Sequence, residues 1–173
     1  MSKLSVSNKK IDTILVLDFG SQYTQLIARR VRESLVYSEI LPWDISEEKI
    51  IKLNPKAVIL SGGPNSVTES FTPRIPKCLF DINVPILGIC YGMQTLAEQN
   101  DGKVTTSSKK EFGYSKFSIE QDSLLFKGIN TKEIEVWMSH GDKVSSLPNN
   151  FELTGSTESA QIASMEHKEL PYY

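Results

Sequence analysis

The chain has 173 residues, 39% of them hydrophobic and 23% charged, which suits one globular domain with a substantial core. A formal net charge of −2 excludes the basic footprint of a nucleic-acid binder, since Lys109-Lys110 and Arg29-Arg30 are pairs rather than runs. No apolar stretch reaches the roughly 18 residues of a membrane helix and no signal peptide is visible. The two cysteines, Cys78 and Cys90, fit reduced thiols in a cytoplasmic protein.

Residues 1–10 are polar and basic and read as a frayed N-terminal tail; residues 11–173 read as a single domain. Ile14 to Leu17 is a continuous apolar run, the pattern of a strand buried on both faces. After Gly20-Ser21, residues Tyr23, Leu26, Ile27, Val31 and Leu35 fall on one helical stripe, predicted to face the core. Tyr37 to Leu41 is a second strand candidate. Asp44 and Glu47 have the spacing of a capping box opening a short helix through Ile51 and Leu53. Ala57 to Leu60 is a third buried run, closed by Ser61-Gly62-Gly63-Pro64. Pro76 to Asp81 is a weak helix, and Val84 to Leu87 a fourth strand. A helix follows, carrying Met93, Leu96 and Ala97 and ending near Asn100 and Gly102.

This alternation predicts a three-layer α/β domain, with a mostly parallel sheet and helices on both faces. Ligands of such sheets sit beyond the carboxyl ends of the strands. Three loops lie at such ends: Asp18-Phe19-Gly20, Ser61-Gly62-Gly63 and Gly88-Ile89-Cys90. From Val104 the pattern changes to short alternating segments: Phe117 to Ile119, Ile134 to Met138, Phe151 to Thr154 and Gln161 to Met165. These predict a small antiparallel extension. Leu170-Pro171-Tyr172-Tyr173 has the character of a further strand opening.

The stretch Gly88-Ile89-Cys90-Tyr91-Gly92 joins the fourth strand to the helix after it. A nucleophile on so tight a turn needs glycine at its flanks, where a Cβ would collide or a positive φ is required. The thiol then stands at a helix N-terminus, which favours thiolate. A buried structural cysteine beside two turn glycines is the competing account. Cys90, rather than Cys78 in its amphipathic segment, is the expected reactive thiol.

Four motifs in order carry a resemblance: Asp18-Phe19-Gly20-Ser21-Gln22-Tyr23, Leu60-Ser61-Gly62-Gly63-Pro64, Gly88-Ile89-Cys90-Tyr91-Gly92-Met93-Gln94 and Trp137-Met138-Ser139-His140-Gly141-Asp142. With them the chain resembles the class I glutamine amidotransferases, and within that family the GMP synthase branch. The resemblance implies hydrolysis of the glutamine side-chain amide, the ammonia passing to an ATP-dependent partner that aminates XMP. It implies Cys90 as the nucleophile that forms a γ-glutamyl thioester, and the N–H groups of Gly63 and Tyr91 as the oxyanion hole. Gln94 and the backbone around Ser139, Gly141 and Asp142 are implied to hold glutamine. The implied partner is an ATP-pyrophosphatase (GMP synthetase) domain or subunit, not expected within this chain. No cofactor is implied for the chain itself, and ATP and magnesium only for that partner.

The family completes a Cys-His-Glu triad with a His-Pro-Glu motif after a Tyr-Gly-x-Gln-Phe-like run. This sequence stops at Tyr172-Tyr173, where that run would open. The expectation is therefore a domain lacking its last strand and helix, marginally stable alone, with glutaminase activity at least roughly 10²-fold reduced. His140 belongs to the Ser-His-Gly-Asp loop, and His167 reads as a solvated hairpin-turn residue; neither is expected to be catalytic. Two other readings exist. One is a binding module without turnover. The other takes Ser61 to Ser66 as an ATP-pyrophosphatase phosphate loop, although Pro64 lacks an N–H for a phosphate cradle. The cysteine and histidine spacing supports no metal site.

Overall fold

The computed structural model describes residues 11–173, apart from the side chains of residues 107–112 and 140; the expected tail at 1–10 lies outside the described residues. The first half builds a parallel sheet in the order β2-β1-β3-β4. Strand β1 (Thr13–Asp18) lies between β2 (Tyr37–Pro42) and β3 (Ala57–Leu60), with Val16 level with both Ile40 and Ile59. Leu15, Val16 and Leu17 are fully buried, as a central strand covered on both faces demands. Strand β4 (Ile86–Gly88) pairs with β3. It starts later than the apolar run suggests, because Pro85 has no N–H for the ladder and only its carbonyl is used, by Val58 N at 2.8 Å.

Helix α1 (Thr24–Glu33) connects β1 to β2, and α2 (Glu47–Leu53) carries the chain back across β1 to β3. Right-handed crossovers in opposite directions place these helices on opposite faces. Helix α3 (Cys78–Asp81) packs beside α2. The predicted stripe of α1 is only half right. Thr24 and Ala28 are buried and Ile27 and Val31 half-buried, whereas Tyr23, Leu26 and Leu35 are exposed, Leu35 at 96%. Small residues face inward because the helix lies close to β2, where Ser38 Oγ donates to Ala28 O at 3.1 Å. Leu35 lies beyond the helix at a φ of 62°, outside its periodicity.

The capping box is also corrected. Ser46, not Asp44, is the N-cap of α2, in extended conformation. Glu47 is the first helical residue, and its Oε1 accepts from Cys78 N at 3.2 Å, tying α2 to α3. Helix α3 is shorter than the predicted Pro76-to-Asp81 span, starting at Cys78.

After α4 (Tyr91–Gln99) comes an antiparallel sheet in the order β6-β5-β7-β8. Strand β5 (Lys103–Ile119) and β6 (Glu133–Ser146) are far longer than the predicted segments, and their ladder shifts register between Thr106 and Glu111. Much of this hairpin faces solvent, so its sequence needs no apolar run. Strand β7 (Phe151–Thr157) pairs with β5 and with β8 (Ser164–His167), which begins later than the predicted Gln161. The two halves share one core, to which β1, β3 and β4 contribute Leu17, Leu60 and Ile86, and the later strands Val144, Phe151 and Met165.

The strand-like character of Leu170 to Tyr173 is realised beside β4. Ile86 N donates to Pro171 O (2.9 Å), Tyr173 N to Ile86 O (2.8 Å) and Gly88 N to Tyr173 O (2.8 Å), a parallel alignment. Tyr172 is buried against Phe80, with ring centroids 6.1 Å apart.

Candidate active site

The turn after β4 shows why glycine stands on both sides of Cys90. A Cβ on Gly88 would lie 2.7 Å from Met93 N and Cα, and one on Gly92 would lie 2.3 Å from Leu60 O. Both are excluded by collision, the first reason for glycine given above. The positive φ belongs to the cysteine itself: Cys90 has φ 51° and ψ −112°. Strain of this kind stores roughly 1–3 kcal/mol and lifts a side chain out of a strand-to-helix junction. Cys90 is the N-cap residue of α4, its carbonyl accepting from Gln94 N at 3.0 Å, and it is exposed.

Cys78 is a free but buried thiol, 5% exposed. Burial pushes its pKa up, with Glu47 and Asp81 adding to the effect. The Cys90 thiol is also pushed up, by desolvation at the base of the cleft that it opens into. Two effects therefore act on the sulfur in opposite directions: the helix N-terminus favours the anion, and desolvation within the cleft disfavours it.

That cleft has a volume of about 440 Å³, within the range of small-molecule sites. Cys90, Tyr91 and Gln94 form its base; Gly63, Pro64, Asn65, Ser66, Thr68 and Glu69 form one wall, and Thr106, Ser139, Gly141 and Asp142 the other. All seven residues singled out in the sequence line this one cleft. Asn65, Thr68, Glu69 and Thr106 were not among them, because a loop without periodicity and one strand position carry no signal of what they face.

Glycine at 63 is obligatory, since a Cβ there would lie 2.5 Å from Phe19 O. Phe19 is held in turn by Ser61, whose Oγ accepts from Phe19 N at 3.0 Å. The amides of Gly63 and Tyr91 donate to no acceptor among the described residues. Gln94 is 6% exposed, and its Nε2 donates to Asp142 O at 2.9 Å, joining α4 to β6 across the cleft. Asp142 is itself buried.

His167 does not line the cleft. Its Nδ1 accepts from Glu169 N (3.1 Å) and Leu170 N (3.0 Å), and its ring stands edge-on to Phe151 and Tyr172. It is a half-buried strand-end residue that caps a turn, rather than the solvated turn residue expected from its polar neighbours. His140 stands opposite Glu111 in the β5–β6 register.

The phosphate-loop reading of Ser61 to Ser66 loses its geometry. The next helix starts only at Cys78, so no helix N-terminus follows the glycines. Among the described residues, no group of three or more His, Cys, Asp or Glu could hold a metal ion, and no helix is long and apolar enough to cross a membrane. A larger hollow of about 820 Å³ lies between residues 119–132 and Glu166, but it contains no thiol and no strained turn. The exposed thiol and the strained turn belong to the smaller cleft.

A strained, exposed cysteine between a parallel strand and a helix, facing a glycine loop from the neighbouring strand, has the form of the nucleophile turn of α/β enzymes. The family described as glutamine amidotransferase class-I matches residues 15–173, and the chain belongs to that family. It is 56% identical over 168 residues to a GMP synthase (glutamine-hydrolyzing) of Hahella chejuensis, covering 92% of this chain and 32% of that protein. It is 53% identical over 160 residues to the protein of the same name from Vibrio vulnificus, covering 92% and 31%. The chain thus spans about a third of the length of these curated relatives. Among solved structures, a candidate GMP synthase subunit from Thermoplasma acidophilum superposes with a TM-score of 0.82 at 33% identity, over 94% of this chain and 81% of that one. A glutamine amidotransferase from Thermotoga maritima, 18% identical over 94% of this chain and 75% of that one, shares the fold with a TM-score of 0.70.

Proposed function

We propose that this chain is the glutaminase part of a GMP synthase, releasing ammonia from glutamine for an ATP-dependent synthetase part that aminates XMP. The observation that carries this reading is the strained Cys90 at the base of a cleft ringed by Gly63, Tyr91, Gln94, Ser139, Gly141 and Asp142. Cys90 Sγ attacks the side-chain amide carbon of glutamine, and the carbonyl electron pair moves onto oxygen. The Gly63 and Tyr91 amides, both without an intramolecular acceptor among the described residues, are suited to receive that charge. Collapse re-forms the carbonyl and expels the amide nitrogen, which takes up a proton and leaves as ammonia; water then cleaves the thioester to glutamate.

Gln94 already spends one N–H on Asp142 O, so its part is to hold the β6 segment and offer its remaining polar atoms to the substrate. The proton transfers need an acid–base group, which family resemblance assigns to a His-Pro-Glu motif. Pro171 to Tyr173 run parallel to β4, with Tyr173 O on Gly88 N, two residues before the nucleophile. A strand continuing in that direction would enter the rim beside Cys90. The synthetase part, with its ATP and magnesium, lies with a partner domain or subunit, and the free thiols are in keeping with a cytoplasmic setting.

The test is labelling with a glutamine-analogue electrophile, followed by mapping of the modified residue. Cys90 is expected to be modified and Cys78 spared, with free glutamine protecting and Cys90→Ala abolishing the reaction. Preferential modification of Cys78, or no protection by glutamine, would refute the assignment.

A further inference from the structure

The side chain of Tyr91 has work that the proposed oxyanion role of its amide does not explain. It is the first residue of α4, directly after the nucleophile, yet its ring points into the core and is 2% exposed. Its Oη donates to Pro73 O at 2.6 Å, and its ring lies 5.3 Å from that of Phe19, tilted by 59°. Burial pushes the phenol's pKa up, so it stays a proton donor through the neutral range. Both contacts lead to the cleft wall that approaches Cys90 from the other side.

Phe19 O is the atom that bars any side chain from position 63, so the place of Phe19 fixes how close the Gly63 backbone stands. Pro73 belongs to the long loop between β3 and α3, whose earlier limb from Gly63 to Glu69 is the cleft wall. That loop has no helix or strand of its own. It depends on anchors: buried Val67 and Ile75, Gln99 bonded to both Ile75 N (2.8 Å) and Ile75 O (3.1 Å), and the Tyr91 phenol. Two of these four anchors, Tyr91 and Gln99, sit on the helix that Cys90 opens. The nucleophile and the wall facing it are therefore tied through one rigid element.

We propose that the Tyr91 side chain is a positioning residue for glutamine turnover: it sets the Gly63 amide and the Gly63–Glu69 wall relative to Cys90 Sγ through Phe19 and Pro73. This rests on the glutaminase reading above. A phenylalanine at 91 keeps the ring and the backbone N–H and deletes the phenol oxygen, with its bond to Pro73 O and its interactions with the Thr72 and Arg74 side chains of the same loop. Leucine at 19 deletes the ring contact and leaves that bond intact.

The experiment measures inactivation of the protein by a glutamine-analogue electrophile, separated into the limiting rate and the half-saturating concentration. Alkylation of Cys90 by iodoacetamide runs alongside as a measure of bare thiol reactivity. Tyr91→Phe is expected to lower the limiting rate roughly five- to tenfold, the size of one buried hydrogen bond. The half-saturating concentration and the iodoacetamide rate should stay within about twofold, the usual reach of substitutions that leave a site's contacts intact. Phe19→Leu should show the same pattern, and it carries the test where Tyr91→Phe does not fold. An unchanged limiting rate in the folded variants would overturn the proposal, as would an equal fall in the iodoacetamide rate, which would mark a general loss of thiol access. Failure of the glutaminase reading looks different, because the wild-type protein itself would then show no saturable, glutamine-protected inactivation.

Discussion

The parallel and antiparallel halves contribute to the same cleft in different ways. In the parallel half, strands of three to six residues are so deeply buried that Leu15, Val16, Leu17 and Leu60 have no exposed surface. In the antiparallel half, β5 and β6 run for 17 and 14 residues and turn much of one face to solvent. Tyr114 and Trp137, opposite one another in the register, are 55% and 79% exposed. The first half supplies the Cys90 turn and the glycine loop, where a Cβ at position 63, 88 or 92 would collide with backbone atoms. The second supplies Thr106, Ser139, Gly141 and Asp142, linked to α4 within the cleft through the Gln94 amide. Close backbone approach is concentrated at Gly63, Gly88 and Gly92, where the proposed oxyanion amides stand, whereas the opposite wall meets the α4 helix through the Gln94 bond to Asp142 O.

Substitutions on either side of this division test it. The largest expected effect is at Gly63. Gly63→Ala drives a Cβ into Phe19 O and displaces the amide proposed for the oxyanion, so glutamine turnover, or inactivation by its analogue, should fall roughly 10²–10³-fold. A fall of less than about tenfold would mean that this amide is not aimed at the substrate oxygen. Next comes the core of the parallel sheet: Leu17→Ala should destabilise by about 2–5 kcal/mol, read from chemical denaturation.

Gln94→Leu sits between the halves. It leaves Asp142 O without its donor and should cost about 1–3 kcal/mol, accompanied by a weaker half-saturating concentration for the glutamine analogue. Unchanged analogue binding would show that the two walls are not coupled through this bond. Trp137→Ala should be smallest, within about 0.5 kcal/mol. A Trp137→Ala loss as large as that of Leu17→Ala would remove the contrast altogether.

Alkaline titration reaches both halves, since the exposed Tyr114 of β5 is also raised, by desolvation and its bond to Glu135, but the buried phenols lie in or against the parallel half. The thiol of Cys78 and the phenols of Tyr91 and Tyr172 are all raised by burial, and all three pack in or against the parallel half. A group whose folded value is raised binds more protons in the native state between its unfolded and folded values. Its stabilisation is therefore complete below the ordinary thiol and phenol ranges and is lost as pH rises through the raised values. Denaturation midpoints should fall on that side, and Cys78→Ala should flatten the earliest part of the decline. An alkaline decline that Cys78→Ala leaves unaltered would exclude this thiol as a contributor.

The sequence displayed the parallel half well for a simple reason. A strand buried on both faces must be apolar at every position, and Ile14 to Leu17 and Ala57 to Leu60 are so written. The antiparallel half was legible only in fragments, because a hairpin with one solvent face alternates and a register shift breaks even that alternation. Helix α1 misled for a related reason: its periodicity was sound, but the face that packs is chosen by how close β2 comes, which favoured Thr24 and Ala28 over Tyr23 and Leu26.

At the site, residue types alone determined that Cys90 stands on a tight strand-to-helix turn, because two flanking glycines have few other uses there. The motif resemblance brought the other six cleft residues with it. Only the tertiary structure decided that collision, rather than backbone angle, demands those glycines, and that the strained φ is borne by the cysteine. It also decided that cleft walls raise the thiol against the pull of its helix, and that Phe19, Pro73 and Tyr91 form one tie behind Gly63. The physical reason is common to all of these. Periodicity and propensity are properties of neighbours along the chain, whereas desolvation, van der Waals exclusion and hydrogen bonds between residues 18 or 48 positions apart exist only after the sheet has brought the segments together.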